Sequence, residues 1–197
     1  MSSGDPETRK RILDKTWQLM EKRGGQHVRI SDIARAAGVS RQAIYLHFGS
    51  RAELLIATAH HLDDVKKLSD RLKGLSSEVN ALQTLENYVD FWANYIPEIH
   101  GLAKALLAMR EKDEDAAAAW DDRMKAVREG WRAVIECLVR EGLLAPEWNP
   151  DQAAEAAWAI TSITVWENLT IECGWSTNEY IDRMKTVLKR MLVKDAL

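Results

Sequence analysis

The 197-residue sequence predicts an all-α fold, with a small N-terminal head of three helices followed by a bundle of six longer helices. Apolar residues recur at helical spacing along most of the chain, and helix-capping residues bound these stretches. No stretch alternates apolar and polar residues between hairpin turns, so no sheet is expected. Only ten Gly and four Pro are available to interrupt the helices. We therefore expect nine helices.

The head is predicted to contain three short helices. Asp5 before Pro6 marks the start of the first helix, because Asp is a common N-cap and Pro suits the first helical position. Gly24 is expected to end that helix. Two more helices follow over about 31–47, joined by a tight turn at Gly38, where we expect a positive φ.

The bundle is predicted to begin at Ser50. Ser50 and Glu53 form the pattern of a capping box, and the helix that they open is expected to run to about residue 73. Pro97 is expected to break the next helix, because proline lacks the backbone donor. The remaining helices are predicted from residue 77 to that break and over 98–109, 113–141, 150–174 and 176–193.

Charge is distributed unevenly along the chain. Residues 1–60 contain ten basic and six acidic side chains, and the remainder contains 17 basic and 24 acidic ones, from chain totals of 27 and 30. A basic N-terminal part on an acidic remainder is typical of a protein that meets a polyanion at one end. We expect a functional boundary at residue 50, which divides the chain into 1–50 and 51–197.

The two short helices over 31–47 have the pattern of a helix-turn-helix. In that motif the N-terminal end of the second helix enters the DNA major groove. There Arg41 could bind guanine, Gln42 could bind adenine and Ala43 could contact a thymine methyl group. The side chains within reach of the DNA phosphates are Tyr45, His47 and Arg51. The alternative is an ordinary corner of two helices with a solvated polar face.

The segment SDIARAAGVSRQAIYLHFGSRAELL resembles the DNA-binding signature of the TetR (tetracycline-repressor-like) family of transcriptional regulators. The match is close over about residues 28–55. Two positions depart from the family pattern: Arg29 stands where Thr commonly caps the second helix, and Arg51 stands where Lys is usual. The cap could pass to Ser31 or be lost.

The resemblance implies a DNA-binding regulator, by expectation a repressor, that binds a palindromic operator as a homodimer and is released by a small apolar effector. The side chains implied to face bases are Arg41, Gln42, Ala43 and Leu46, with Ser40 capping their helix. Those implied to contact the backbone are Tyr45, His47 and Arg51, flanked by Arg29 and Ser31. The bundle would then serve effector binding and dimerisation.

The last two helices are the candidates for the dimer interface, since they carry more apolar surface than the outer helices of a monomer require. The candidate interface residues are Ala157, Ile160, Thr164, Ile171, Tyr180, Met184, Leu188 and Met191. The alternative is that these helices cover their own core.

Seven of the eight Trp lie beyond the head, and large rings can line an apolar pocket in a helical bundle. The middle helices, where the family resemblance places an effector, carry the candidate ligand-binding residues Trp92, Tyr95, Met109, Trp120, Met124 and Trp131. For each residue the alternative is plain core filling.

Other functions have little support in the sequence. No GxSxG, Walker or GxGxxG motif is present, and His60 with Asp64 supplies too few ligands for a metal site. We expect no enzyme, no cofactor and no metal. The two cysteines form no CxxC pair. The N-terminal segment MSSGDPETRKR lacks the apolar region of a secretory signal, and no apolar segment is long enough for a membrane span, so a soluble cytoplasmic protein is expected. The main alternative function is a helical ligand-sequestering protein without operator binding.

Overall fold

The computed structural model describes residues 5–24, 26–75 and 80–194, and over these residues the chain is helical, with no strand. The predicted all-α fold is confirmed. The helices, in chain order, are α1 (Pro6–Arg23), α2 (Ile30–Ala37), α3 (Arg41–Phe48), α4 (Arg51–Val65), α5 (Leu68–Lys73), α6 (Ala81–Met109), α7 (Glu114–Arg140), α8 (Pro150–Ile160), α9 (Ile163–Glu167), a π-helical turn (Asn168–Glu172) and α10 (Thr177–Leu192). No helix in this described part of the chain has the length and hydropathy of a membrane-spanning segment.

Packing divides the chain into two compact units. The first unit comprises the chain through Leu68 together with Ile99–Met124, and the second comprises Ser69–Glu98 together with the chain from Lys125 onward. The boundary at residue 50 stays a prediction about function. The packing unit extends beyond it because α4 packs against α1.

The first unit is organised around α1. Asp5 caps this helix as predicted, because its carboxylate accepts hydrogen bonds from the backbone N–H groups of Glu7 and Thr8. The α1 side chains Ile12 and Met20 are fully buried, on the faces that pack against α2 and α4. Burying side chains of this size stabilises the fold by about 1.5–3 kcal/mol each.

Two predicted helix boundaries in the bundle are wrong. The helix that begins at Arg51 ends at Val65 and not near residue 73, because Lys67 adopts a positive φ of 56° and separates α4 from α5. A break at a lysine has no signal in local composition. Pro97 does not break α6, which continues through it, since the buried residues Ile96 and Leu102 on either side pack into the fold and offset the cost of proline, about 3 kcal/mol.

The helix predicted over 150–174 is also divided. It ends at Ile160, and Ser162 starts α9 by accepting a hydrogen bond from the backbone N–H of Val165. The π-helical turn follows. The part of the chain after residue 50 therefore has seven described α-helices and one π-helical turn, where six helices were predicted.

The second unit has a core formed largely by α6, α7, α8 and α10. Leu85, Trp131 and Leu188 are fully buried there. The predicted capping box of the last helix is present, because the Ser176 hydroxyl and the Glu179 carboxylate bond each other's backbone N–H groups. Two ion pairs of 2.7 Å connect α10 to α6, namely Lys185–Asp90 and Lys189–Glu86.

Candidate nucleic-acid interface

The helices α2 and α3 form a compact corner whose geometry depends on the turn between them. Gly38 ends α2 in the left-handed conformation (φ 65°), which a residue with a Cβ atom adopts only at a cost. Ser40 then caps α3 by accepting a hydrogen bond of 3.0 Å from the backbone N–H of Ala43. Ile33 and Ile44 are fully buried between the helices, so the orientation of α3 is held by packing as well as by the turn.

The opposite face of α3 is exposed. Tyr45 is 42% exposed and Leu46 is 79% exposed, although both are large side chains with apolar surface. The side chains of Arg41 and Gln42 are exposed and make no hydrogen bond or ion pair with the residues that the structure describes. This face therefore presents unused donors and acceptors beside apolar surface, which are the groups that bind base edges in the major groove.

The flanks of this face differ from one another. Ala43 and His47 are half-buried, and His47 lies beside an open groove of about 450 Å³ between α3, α1 and α4. Arg9 on α1 lines the same groove, with its guanidinium 4.9 Å from the centre of the Phe48 ring. Arg9 was not among the predicted residues, because only the packing of α1 brings it beside α3.

Arg29 occupies the N-cap position of α2, and its side chain makes no capping hydrogen bond. The cap that the resemblance implies at this position is therefore absent. Ser31 does not replace it, since it lies inside the helix and is half-buried. Arg29 is exposed, and its predicted backbone contact stays a prediction.

Arg51 is not at the free surface. Only 11% of its side chain is exposed, and its guanidinium is bonded to the Asp113 carboxylate at 2.7 and 2.8 Å and to Asp115 at 2.9 Å. Its Nε atom donates to the Val28 carbonyl at 3.2 Å. In this conformation Arg51 connects the start of α4 to the start of α7 within the first unit. A phosphate contact by Arg51 would require the loss of these hydrogen bonds.

The carboxylate of Asp113 is held in its charged form by this network. Burial is the largest single influence and would raise its pKa, but the hydrogen bonds and positive charge of Arg51, with the hydrogen bonds from the Ala116 backbone and His27, together lower the pKa to about 2. His27 adds a contact of 2.9 Å, and Asp113 also accepts from the backbone N–H of Ala116 at the start of α7. The network joins segments that are far apart in the chain, since 62 residues separate Asp113 from Arg51.

The histidines of α4 contact carboxylates. His60 contacts Asp122 and His61 contacts Asp14, each at 2.7 Å. His60 thus contacts a residue of α7. Over the described ranges, no group of three or more side chains could hold a metal ion.

The candidate ligand-binding residues fall into both units. Trp92, Tyr95 and Trp131 belong to the second unit, and the rings of Trp92 and Tyr95 lie 5.7 Å apart. Those in the first unit are Met109, Trp120 and Met124. The guanidinium of Arg110 lies 5.7 Å from the centre of the Trp120 ring.

Half of the candidate interface residues are core residues of the single chain. The side chains that are at most 5% exposed, and so cannot form a surface in this conformation, are Ala157, Tyr180, Met184 and Leu188. For these four the alternative interpretation, that the helices cover their own core, fits the structure. The accessible candidates are Ile160, Thr164, Ile171 and Met191.

The comparisons with known proteins agree on the kind of protein. The family model for "Bacterial regulatory proteins, tetR family" matches residues 12–58. The "Probable HTH-type transcriptional regulator ArpR" of Pseudomonas putida is 30% identical over 168 residues, covering 78% of this chain and 76% of that protein. The "HTH-type transcriptional regulator TtgR" of P. putida is 28% identical over 159 residues, with the same coverage.

The solved structures agree on the fold. NalD, described as the secondary repressor of the MexAB-OprM multidrug efflux pump in Pseudomonas aeruginosa, superposes with a TM-score of 0.71 at 23% identity, covering 96% of this chain and 97% of that one. The regulator FadR of Bacillus subtilis, solved with stearoyl-CoA, gives 0.70 at 16% identity, covering 95% and 98%. With its helix-turn-helix and these relatives, the chain belongs to the TetR family of DNA-binding transcriptional regulators.

Proposed function

We propose that this protein is a repressor that binds a palindromic operator as a homodimer and leaves it when a small apolar effector binds. The observation that carries the proposal is the exposed face of α3. Arg41 and Gln42 have polar groups without partners in the described chain, and Leu46 exposes apolar surface that serves no packing role. Residues 1–50 would bind DNA, and residues 51–197 would bind the effector and form the dimer.

A dimer is supported by the size of this face. A single helix in the groove contacts only a few base pairs, so a two-fold dimer on two half-sites about one helical turn apart is the usual route to specific binding. Accessible apolar residues lie at the end of α8, in the π-helical turn and on α10. They are Ile160, Ile171, Val187 and Met191.

Release by an effector is supported by the relatives and requires one energetic condition. Structures of this fold have been solved with small molecules, including stearoyl-CoA and choline. An effector releases DNA only if it binds the released conformation more tightly than the DNA-bound one. The regulator would act on DNA in the cytoplasm, and no enzymatic step is part of this mechanism.

The proposal is tested by selecting bound duplexes from a random pool and measuring the affinity of the selected site by mobility shift at fixed salt. We expect a palindrome with half-sites about one turn apart. Gln42→Ala should relax the preference at one base pair per half-site, which corresponds to a loss of about 1–3 kcal/mol of discrimination. Gln152→Ala, an exposed glutamine on α8, is the matched control and should change nothing.

Selection without an enriched palindrome would contradict operator binding and would favour the ligand-sequestering alternative. If a palindrome is selected but Gln42→Ala and the unmodified protein show the same base preferences, the placement of α3 in the groove is contradicted. Both outcomes are read at low ionic strength, where phosphate contacts are strongest.

A further inference from the structure

The second unit contains a cluster of aromatic side chains on α6 and α7. The ring of Tyr88 lies edge-on to Trp131 at 4.8 Å and to Trp92 at 6.1 Å. Trp131 is fully buried, whereas Trp92 is only partly buried and leaves one side of the cluster accessible. We call Tyr88, Trp92 and Trp131 the aromatic cluster.

The cluster has more hydrogen-bond donors than acceptors. The indole N–H groups of Trp92 and Trp131 are buried and meet no acceptor in hydrogen-bond geometry among the described residues, although that of Trp92 lies beside the Tyr88 hydroxyl. The hydroxyl of Tyr180, which is 2% exposed in the same core, also has no partner there. More than nine in ten buried polar groups in proteins are satisfied, so several unsatisfied donors in one core need an explanation.

The Tyr88 hydroxyl lies against α7 at Gly130, where the helix has no side chain. A methyl group at Gly130 on α7 would overlap this hydroxyl. Glycine in a helix interior is unfavourable relative to alanine, and here it gives Tyr88 room to lie against α7. Burial raises the pKa of Tyr88 to about 12, and the pKa of Tyr180 likewise, so both hydroxyls keep their protons at neutral pH.

Charge around the cluster does not favour a cation. The carboxylates nearest in sequence on α6 are Glu86 and Asp90, and both are paired with lysines of α10 at 2.7 Å. A cation, Arg71, lies over the rings of Phe91 and Tyr95 at 5.3 and 5.0 Å. A ligand at the cluster would therefore meet aromatic surface and hydrogen-bond donors, and the two neighbouring α6 carboxylates that the structure describes are already paired.

We infer that the effector is a neutral or anionic aromatic molecule whose carbonyl or ether oxygen accepts a hydrogen bond from the Trp131 indole, with Trp92 as the second donor. This inference rests on the proposed function, because it names the chemical class of the effector. The rings of the cluster would contact the aromatic part of the molecule, and the donors would select for its oxygen.

The inference is tested by calorimetric titration of the full-length protein with 9-fluorenone, fluorene and the cation of 9-aminoacridine. Fluorenone and fluorene share one ring skeleton and differ in the carbonyl group. We expect fluorenone to bind about tenfold more tightly than fluorene, as one hydrogen bond to a buried donor allows. Trp131→Phe should reduce this preference strongly, because it removes the first of the two donors, whereas the affinity for fluorene, which has no acceptor, should change less.

Trp148→Phe is the matched control, because the Trp148 indole already donates to the Met191 carbonyl and its loss should not alter the preference. If Trp131→Phe fails to fold, Trp92→Phe provides the test, since it removes the second donor, on the partly buried side chain, and should reduce the preference for fluorenone. Equal affinities, as expected if the donors bind only water, would overturn the inference. The inference would also be overturned if none of the three compounds bound, or if the 9-aminoacridine cation bound most tightly. It would be overturned as well if Trp131→Phe and Trp92→Phe both kept the full preference for fluorenone.

The operator is titrated in parallel. If fluorenone binds with the expected dependence on Trp131 but does not release the DNA, the inference about ligand class stands and the proposed release fails. If the operator is bound but no carbonyl preference is found, the DNA-binding proposal stands and the inference is wrong.

Discussion

Leu46 and Ile44 are separated by one residue on α3 but have opposite surroundings. Ile44 is fully buried under the helix, whereas Leu46 is 79% exposed. An exposed leucine contributes almost nothing to the stability of the fold. On a helix that enters the major groove it would instead contact a thymine methyl group, which is apolar and lies at the edge of the base pair.

We predict that Leu46→Ala leaves the free energy of unfolding within about 0.5 kcal/mol of the unmodified value and weakens operator binding by about 1 kcal/mol at one A·T position. Ile44→Ala is the contrasting variant and should destabilise the protein by about 2–5 kcal/mol. Denaturant unfolding and mobility shift measure the two effects. If Leu46→Ala lowered the free energy of unfolding as much as Ile44→Ala does, the orientation of α3 would be contradicted.

Arg51 and Asp113 form the most buried ion pair that the described residues show between α4 and α7. A pKa of about 2 for Asp113 lies below its value in an unfolded chain, near 4, so this group stabilises the fold at neutral pH by about 2 kcal/mol. That contribution is fully present above pH 4 and is lost as the pH falls from about 4 to 2.

Asp113→Asn should therefore lower the free energy of unfolding by about 2 kcal/mol at pH 7, and the difference from the unmodified protein should shrink towards pH 2. Urea unfolding over pH 2–7 measures this dependence. Asp151→Asn serves as the control, because Asp151 is 73% exposed in its pair with Arg132 and should show almost no effect. A difference that grows with acidity would mean that Arg51 and Asp113 are not paired in solution.

At the scale of helices, local signals predicted the starts of elements better than their ends. Asp5, Ser40 and Ser176 lie next to the backbone groups that they cap, so a few residues contain all the information needed. The break at Lys67 and the continuation through Pro97 have no signal in the local sequence, and the local cap at Ser162 lies inside a segment that was predicted as one helix.

The same distinction applies to the site. The exposed face of α3 could be predicted, because the turn at Gly38 and the buried side chain of Ile44 fix which residues of a short helix face outward. The pairing of Arg51 with Asp113, and the position of Arg9 beside Phe48, could not be predicted, since both join segments that are far apart in the chain.

The start of α2 offers a direct test of capping. Its N-cap residue, Arg29, makes no side-chain hydrogen bond, so the first backbone N–H groups of the helix lack a capping acceptor. Arg29→Thr should supply one and raise the stability of the protein by about 1 kcal/mol, measured by denaturant unfolding. Arg29→Ala separates capping from charge, because it removes the cation without adding an acceptor. If threonine and alanine gave equal stabilities, the helix start would not be limited by its cap.

Arg29→Thr should also weaken DNA binding if Arg29 contacts a phosphate. The loss should be similar for all sequences, and the slope of log affinity against log salt should become shallower by about one unit for each phosphate contact that is lost. Arginine at this position would then lower the stability of α2 and raise the affinity for DNA.

For the molecule as a whole, the distribution of apolar surface restricts where two copies could meet. The buried faces of α8 and α10 belong to the core of the single chain, so a dimer must use what remains outside. Among the described residues of the second unit, three large apolar side chains are exposed. They are Ile171 and Val187, 51% and 42% exposed, and Val139 on α7, 45% exposed, which lies beside an apolar groove that Ala133 and Pro150 also line.

We predict that Ile171→Asp converts the dimer into a folded monomer, because a carboxylate at the interface would lose its water without gaining a partner. Sedimentation velocity gives the oligomeric state, and circular dichroism confirms folding. The monomer should lose about half of the phosphate contacts per complex, so its salt slope on the operator should be roughly half that of the dimer. Val139→Asp is the matched control, with the same change at similar exposure, and should remain dimeric. The opposite result, a monomer with Val139→Asp and a dimer with Ile171→Asp, would place the two-fold contact on α7 and its groove.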